Sequence, residues 1–128
     1  LDVLRPETTH GKSRFDFYAE SGRRKIFVEV KGVTLVEDGI ARFPGAPTVR
    51  GVKHLRELAA CAAEGFEAFV VFIIKRSDVR ACAPNDDLDL AFGQALRETV
   101  AQGVKALALN CDVTPDSLAV RGFADVLL

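Results

Sequence analysis

Early in the chain, three residues have the types and spacing of a hydrolytic site: Asp16 in RFDFYAE, and Glu29 and Lys31 in KIFVEVKGV. Both stretches alternate and are rich in aromatic or β-branched residues, so they read as strands joined by a turn at Glu20-Ser21-Gly22-Arg23. Strand side chains alternate, so Phe27, Glu29 and Lys31 share one face. Ile26, Val28 and Val30 take the other, which this reading makes the buried one. A turn centred on Ser21-Gly22 sets Asp16 opposite Phe27 with Glu29 on the diagonal, both carboxylates within reach of one small ion. Such a pair repels unless something positive lies between. Mg²⁺ suits the place, because it takes oxygen ligands and is commonly held by one or two carboxylates plus phosphate. Lys31 adds a cation that can orient a nucleophile or stabilise charge building on phosphorus. The pattern therefore fits phosphodiester hydrolysis. Glu-x-Lys on the wet face of a strand is also the pattern of a plain ion pair worth little.

The rest of the chain limits what can position these groups. Its 128 residues, 48% apolar and 27% charged, fit one globular domain spanning 1–128 with a core of its own. No apolar run approaches the length that spans a bilayer, so no membrane partner is expected. Cys61, Cys82 and Cys111 are odd in number and form no CxxC pair, which points to a reducing, cytoplasmic setting. The chain has no methionine, which suggests a missing N-terminal part. Net charge is −1, but residues 1–56 hold 11 Lys+Arg against 7 Asp+Glu, and residues 57–128 hold 6 against 11. The basic half is the half that carries the candidate triad, a weak pointer to a polyanion.

Strands are expected at Arg14–Glu20, Lys25–Lys31 and Ile40–Phe43. Thr48 caps a helix running to about Ala63, with Val52, Leu55, Ala59 and Ala62 at helical spacing. Arg50, Lys53, His54 and Arg56 give it a basic start where phosphate could be held. AFVVFII, Ala68–Ile74, reads as a central strand covered on both faces, with Phe69 and Phe72 in the core. Asn85 to Asp87 cap a second helix, closed by Gly103, and Val104–Leu109 is a further strand. The tail from Thr114 adds a short strand or edge. The fold class is α/β, a mixed β-sheet flanked by helices. The cysteines read as core packing and His10 as a solvated loop residue. Asp86, Asp87 and Asp89 are better explained as helix-start acids than as a metal cluster. The phase of His54, beside Arg50 and Glu57, fits a surface position as well as a site.

The segments HGKSRFDF, FVEVKGVTLVEDGIARFPGAPTVRGVKHLREL and PNDDLDLAF together resemble the sugar fermentation stimulation protein family. The resemblance implies a PD-(D/E)xK restriction-endonuclease-like core, with Asp16 and Glu29 as metal ligands, the Val30 carbonyl as a further ligand and Lys31 as the catalytic lysine. The implied cofactor is Mg²⁺ or Mn²⁺. Arg14, Arg50, Lys53 and His54 are the implied nucleic-acid contacts, Arg14 either holding phosphate or pairing with a carboxylate. Glu7 is a candidate upstream acid. The family is described as DNA-binding, and its full chain resembles an OB-like domain joined to this part. DNA is thus the implied partner, and domains of this fold often form homodimers. Three activities stay open: a metal-dependent nuclease, a DNA-binding regulator of sugar metabolism that does not cut, and a hydrolase of a small phosphorylated metabolite.

Overall fold

The structure, a computed structural model, describes residues 1–128. Its elements are β1 (Val3–His10), β2 (Ser13–Ser21), β3 (Arg24–Val33), β4 (Val36–Glu37), β5 (Ile40–Phe43), α1 (Val49–Ala63), β6 (Glu67–Ile74), β7 (Ala81–Pro84), α2 (Leu90–Ala101), β8 (Lys105–Thr114) and β9 (Ser117–Val126). They form one sheet in the order β1-β2-β3-β6-β8-β9-β7-β5-β4. β1, β2 and β3 run antiparallel, β3, β6 and β8 run parallel, and β9 returns antiparallel along β8. The mixed sheet with helices agrees with the sequence reading.

The β2–β3 hairpin turns one residue later than expected. Ser21 pairs with Arg24, so Gly22-Arg23 is the tip, and Gly22 takes φ 61° as such a tight turn demands. Tyr18 then lies opposite Phe27, and the pairing ends at Phe17–Val28. Carried one step further, the register sets Asp16 beside Glu29 rather than opposite Phe27. The shift is two positions along the partner strand, so the faces keep their parity.

The buried face of β3 is the reverse of the one expected. Phe27, Glu29 and Val33 are buried, whereas of the three expected inward residues only Ile26 is buried and Val28 and Val30 are half-buried. The reason is that α1 and α2 pack against each other and lie on the same side of the sheet. Leu55 and Leu58 of α1 and Phe92 and Leu96 of α2 join one core with Phe27, Val70, Phe72 and Ile74. β6 accordingly alternates strictly, Ala68, Val70, Phe72 and Ile74 inward and fully buried, Phe69 and Val71 outward. Phe69 is therefore not a core residue, and β6 is not covered on both faces.

α1 matches its expected bounds: the Thr48 hydroxyl accepts from Gly51 N at 2.9 Å. Gly51 has no room for a side chain, since a Cβ there would meet Thr48 and the Phe92 ring. The closeness locks the start of α1 onto α2. The start of α2 lies later than expected. Asp89 is its cap, accepting from Phe92 N at 3.1 Å, while Asp86 instead pairs with Arg97 and Asn85 holds the Pro44 carbonyl. β1, β4 and β7 arise where no strand was expected, and the tail forms the ten-residue β9. His10 ends β1 rather than standing in a solvated loop. Its ring lies 5.0 Å from those of Phe27 and Phe66, and its Nε2 lies 2.7 Å from Glu64.

Candidate active site

Asp16 sits where β2 and β3 part. Phe15 and Tyr18 are three residues apart, yet both rings pack on Phe27, at 4.8 and 5.0 Å. Strict alternation would send them to opposite faces. The alternation therefore breaks between them, at Asp16, and the carboxylate turns toward β3. There the backbone of Val30 donates to Asp16 Oδ2 at 2.7 Å, and the backbone of Asp16 donates to Glu29 Oε1 at 3.0 Å. Each acid thus caps the open end of the other's strand. A strand residue's N–H and C=O point to the same edge, so the Val30 carbonyl faces Asp16 as well.

Glu29 is 3% exposed. Burial pushes its carboxyl above the ordinary carboxylate range, the Asp16 charge adds to this, and Lys31 draws it partly back. Lys31 Nζ lies 3.7 Å from Glu29 Oε2 and 2.8 Å from His54 Nδ1. A neutral imidazole has one acceptor nitrogen. Arg50 Nε points at Nε2 as a donor at 3.4 Å, and Glu29 Oε2 lies 3.3 Å from Nδ1, so the neutral ring accepts from Lys31 or from Arg50 but not from both, and the Lys31 contact is the shorter. Burial lowers the His54 pKa, and the Lys31 and Arg50 charges lower it further, so the neutral ring is the favoured form.

Above these groups opens a cleft of about 510 Å³ lined by Glu7, Lys12, Arg14, Phe15, Asp16, Glu29, Arg50, Lys53, His54 and Glu57. Asp16, Glu29, Arg14, Arg50, Lys53 and His54 all meet here. Lys31 lies beneath, reaching the cleft through His54 and Glu29. Arg14 donates to Glu7 at 2.8 Å, which makes it a carboxylate partner in this state. Glu7 falls across from Asp16, because the β1–β2 pairing skips it between Pro6–Phe17 and Thr8–Phe15. Its φ of 50° is a left-handed conformation that costs an ordinary residue about 1 kcal/mol or more. Strain of this kind clusters at functional sites.

Lys12 and Glu57 were not among the sequence candidates. Lys12 gave no signal, standing next to a turn glycine. Glu57 did: Arg50, Lys53, His54 and Glu57 recur at i, i+3, i+4 and i+7, one face of α1. No acid stands in the first turn of α1. Cations there oppose the helix dipole, so helix stability does not account for Arg50 and Lys53.

No three His, Cys, Asp or Glu side chains converge as a metal cage. The donor set is narrower, two adjoining carboxylates with a backbone carbonyl at their edge. That set is too sparse for zinc, which takes four ligands, and suits a hard cation that keeps most of its waters.

Comparison with known proteins gives this geometry a family. Residues 1–117 match the family model described as the sugar fermentation stimulation protein RE domain. Sugar fermentation stimulation protein homologues from Desulfitobacterium hafniense (strain Y51) and Clostridium beijerinckii are 56% and 47% identical over 128 residues, all of this chain and 56% and 57% of theirs. The solved structure of Pyrococcus furiosus SfsA in complex with Ca²⁺ superposes with a TM-score of 0.89 at 32% identity, over 97% of this chain and 54% of that one. The chain spans little more than half the length of these relatives. It belongs to the sugar fermentation stimulation protein family.

Proposed function

We propose that this chain is a divalent-metal-dependent phosphodiesterase domain acting on DNA, built on a PD-(D/E)xK nuclease-like core. The observation that carries the reading is the pairing of Asp16 and Glu29 across the parting strands, with Lys31 held behind them. Asp16, Glu29 and the Val30 carbonyl are the groups that would hold Mg²⁺ or Mn²⁺. When bound, the ion supplies charge to polarise a phosphoryl oxygen and to acidify a water. Lys31 orients the attacking water and offsets charge on the phosphate. His54, neutral, holds the Lys31 ammonium in place. Arg14, Arg50, Lys53 and Lys12 bind the phosphates on either side.

Charge supports the assignment. The cleft carries four basic side chains, Lys12, Arg14, Arg50 and Lys53, against four acidic ones, Glu7, Asp16, Glu29 and Glu57. A divalent cation turns that balance positive, so a polyanion is drawn to the loaded site more than to the empty one. The Ca²⁺ complex of the Pyrococcus furiosus relative adds support, as a hard cation bound to a protein of the same family.

The test is cleavage and binding of plasmid and single-stranded DNA with Mg²⁺ or Mn²⁺, comparing the chain with Asp16→Asn and Lys31→Ala. Metal-dependent nicking that both substitutions abolish is the expected result. DNA binding without cutting, unchanged by either substitution, would mean a regulator on a nuclease-like fold and would sink the enzymatic reading.

A further inference from the structure

The face of the sheet opposite the cleft is apolar and bare. Both helices lie on the cleft side, so no helix covers this face; Ala19 and Ile26 are shielded by their neighbours, the Lys105 ammonium lies 5.4 Å from the Phe69 ring centre, and Phe17 is exposed. Leu4, Phe17, Val28, Phe69, Val71 and Leu107 form a groove of about 440 Å³ whose lining has no polar or charged residue, and Leu1 closes its end. The strand pairings make these neighbours in space: Phe17 beside Val28, Val28 beside Phe69, Val30 beside Val71, Val71 beside Leu107. The face continues through Leu109 to Phe123, which is 73% exposed. It crosses six strands, roughly 24 Å at strand spacing. Monomers rarely leave an apolar surface of this extent in water, and a sheet needs a second layer on its apolar face.

We propose that this face seats the part of the longer family chain that lies outside the matched region. Three observations favour that occupant. The relatives from different organisms all extend well beyond this domain, with 54–57% of their length matched, so in those proteins a segment of comparable length has to be placed somewhere. Leu1 itself lines the groove, so any chain joined to it enters at the surface it would cover, at the high effective concentration of a tether. The groove lining is also entirely apolar, with one cation, Lys105, at its edge over Phe69, which fits a packed apolar layer better than a nucleic-acid track. Covering it leaves the cleft open, because Val28 lines the groove while Glu29, the next residue, lines the cleft. β3 then becomes the strand through which the second layer braces the site. None of this depends on what the cleft does.

The test places one new thiol on the face, Val71→Cys, in the longer chain and in the 128-residue chain. Its reaction with a maleimide is timed in native buffer, against the unprotected rate in denaturant. Cys61, Cys82 and Cys111 are buried, so the new thiol provides the fast phase. The expected result is protection in the longer chain of about a hundredfold, independent of protein concentration, and little in the short one. Full-rate labelling in the folded longer chain overturns the proposal. So does protection that grows with concentration in both chains alongside a dimer mass by sedimentation, which would make a second copy the occupant. Leu107→Cys repeats the measurement from a neighbouring strand, so a variant that fails to fold does not decide the matter.

Discussion

Nζ of Lys31 lies 2.8 Å from Nδ1 of His54, which ties the middle of β3 to the first turns of α1. The bond needs a neutral ring with Nδ1 free to accept, and the lowered His54 pKa favours the neutral ring. A basic group whose folded pKa is depressed contributes stability above its unfolded value, near 6.5, and that contribution is lost as pH falls through the folded value. His54→Gln cannot titrate. Its stability relative to wild type should therefore improve as pH drops from about 7.5 to 5.5. Thermal unfolding of both proteins across that range checks it. Parallel curves would show that His54 does not lose a proton-sensitive bond.

Glu29 has the opposite sign. Its folded pKa is raised, so the folded state favours the protonated acid, and stability falls as pH rises through the folded value. Glu29→Gln imitates the neutral form and can still accept from Asp16 N. At pH 7 and without divalent ions it should be more stable than wild type. The gain should fade near pH 4. Urea unfolding at the two pH values measures it, and a destabilised variant at pH 7 would mean that the Lys31 attraction outweighs burial and the Asp16 charge.

The same substitution should remove the response to metal. A ligand that binds only the folded state stabilises it by about 2.7 kcal/mol at a hundred times its dissociation constant. Mg²⁺ or Ca²⁺ should raise the melting temperature of the wild-type chain and leave Glu29→Gln and Asp16→Asn unmoved. An equal rise in all three would place the ion elsewhere.

Arg50 and Lys53 project from the face of α1 that borders the cleft, where they would meet phosphates. Removing both to Ala should weaken DNA binding and flatten its salt dependence, lowering the slope of log K against log salt by about 2. Fluorescence anisotropy over a salt series reads the slope. An unchanged slope would mean that DNA does not cross this end of the helix.

The hairpin, α1 and the approximate positions of β5, β6 and β8 were legible because turn glycines, the Thr48 cap and apolar periodicity are local signals. The faces of β3 were not. Ile26, Val28 and Val30 are more apolar than Glu29 and Lys31, so pattern alone chose them as the buried side. The structure inverts the choice for Val28 and Val30, though not for Ile26, because both helices fall on the Glu29 side, a matter of crossover connection that no single strand encodes. AFVVFII misled in the same way: its outward residues are apolar although no element of this chain covers them. β1 was hidden by Pro6 and by paired threonines. In the site, the break in alternation at Asp16 left no mark on the sequence, whereas the one-face spacing of Arg50, Lys53, His54 and Glu57 was there to be counted.

Glu7 offers a test of whether the cleft was shaped at a cost to stability. Its backbone stands at φ 50°, a conformation that glycine adopts freely and other residues resist. Its side chain pairs with Arg14, but both are well exposed, and an ion pair of that kind is worth little. Glu7→Gly should therefore stabilise the fold, by up to about 1 kcal/mol, since relief of strain outweighs the lost pair. If Glu7 serves the site beside Asp16, the same variant should bind divalent cation less tightly while melting at a higher temperature. The two readouts moving in opposite directions would mark Glu7 as a functional acid held under strain. A variant that loses stability, or one that gains it with metal affinity intact, would return Glu7 to an ordinary place on the strand.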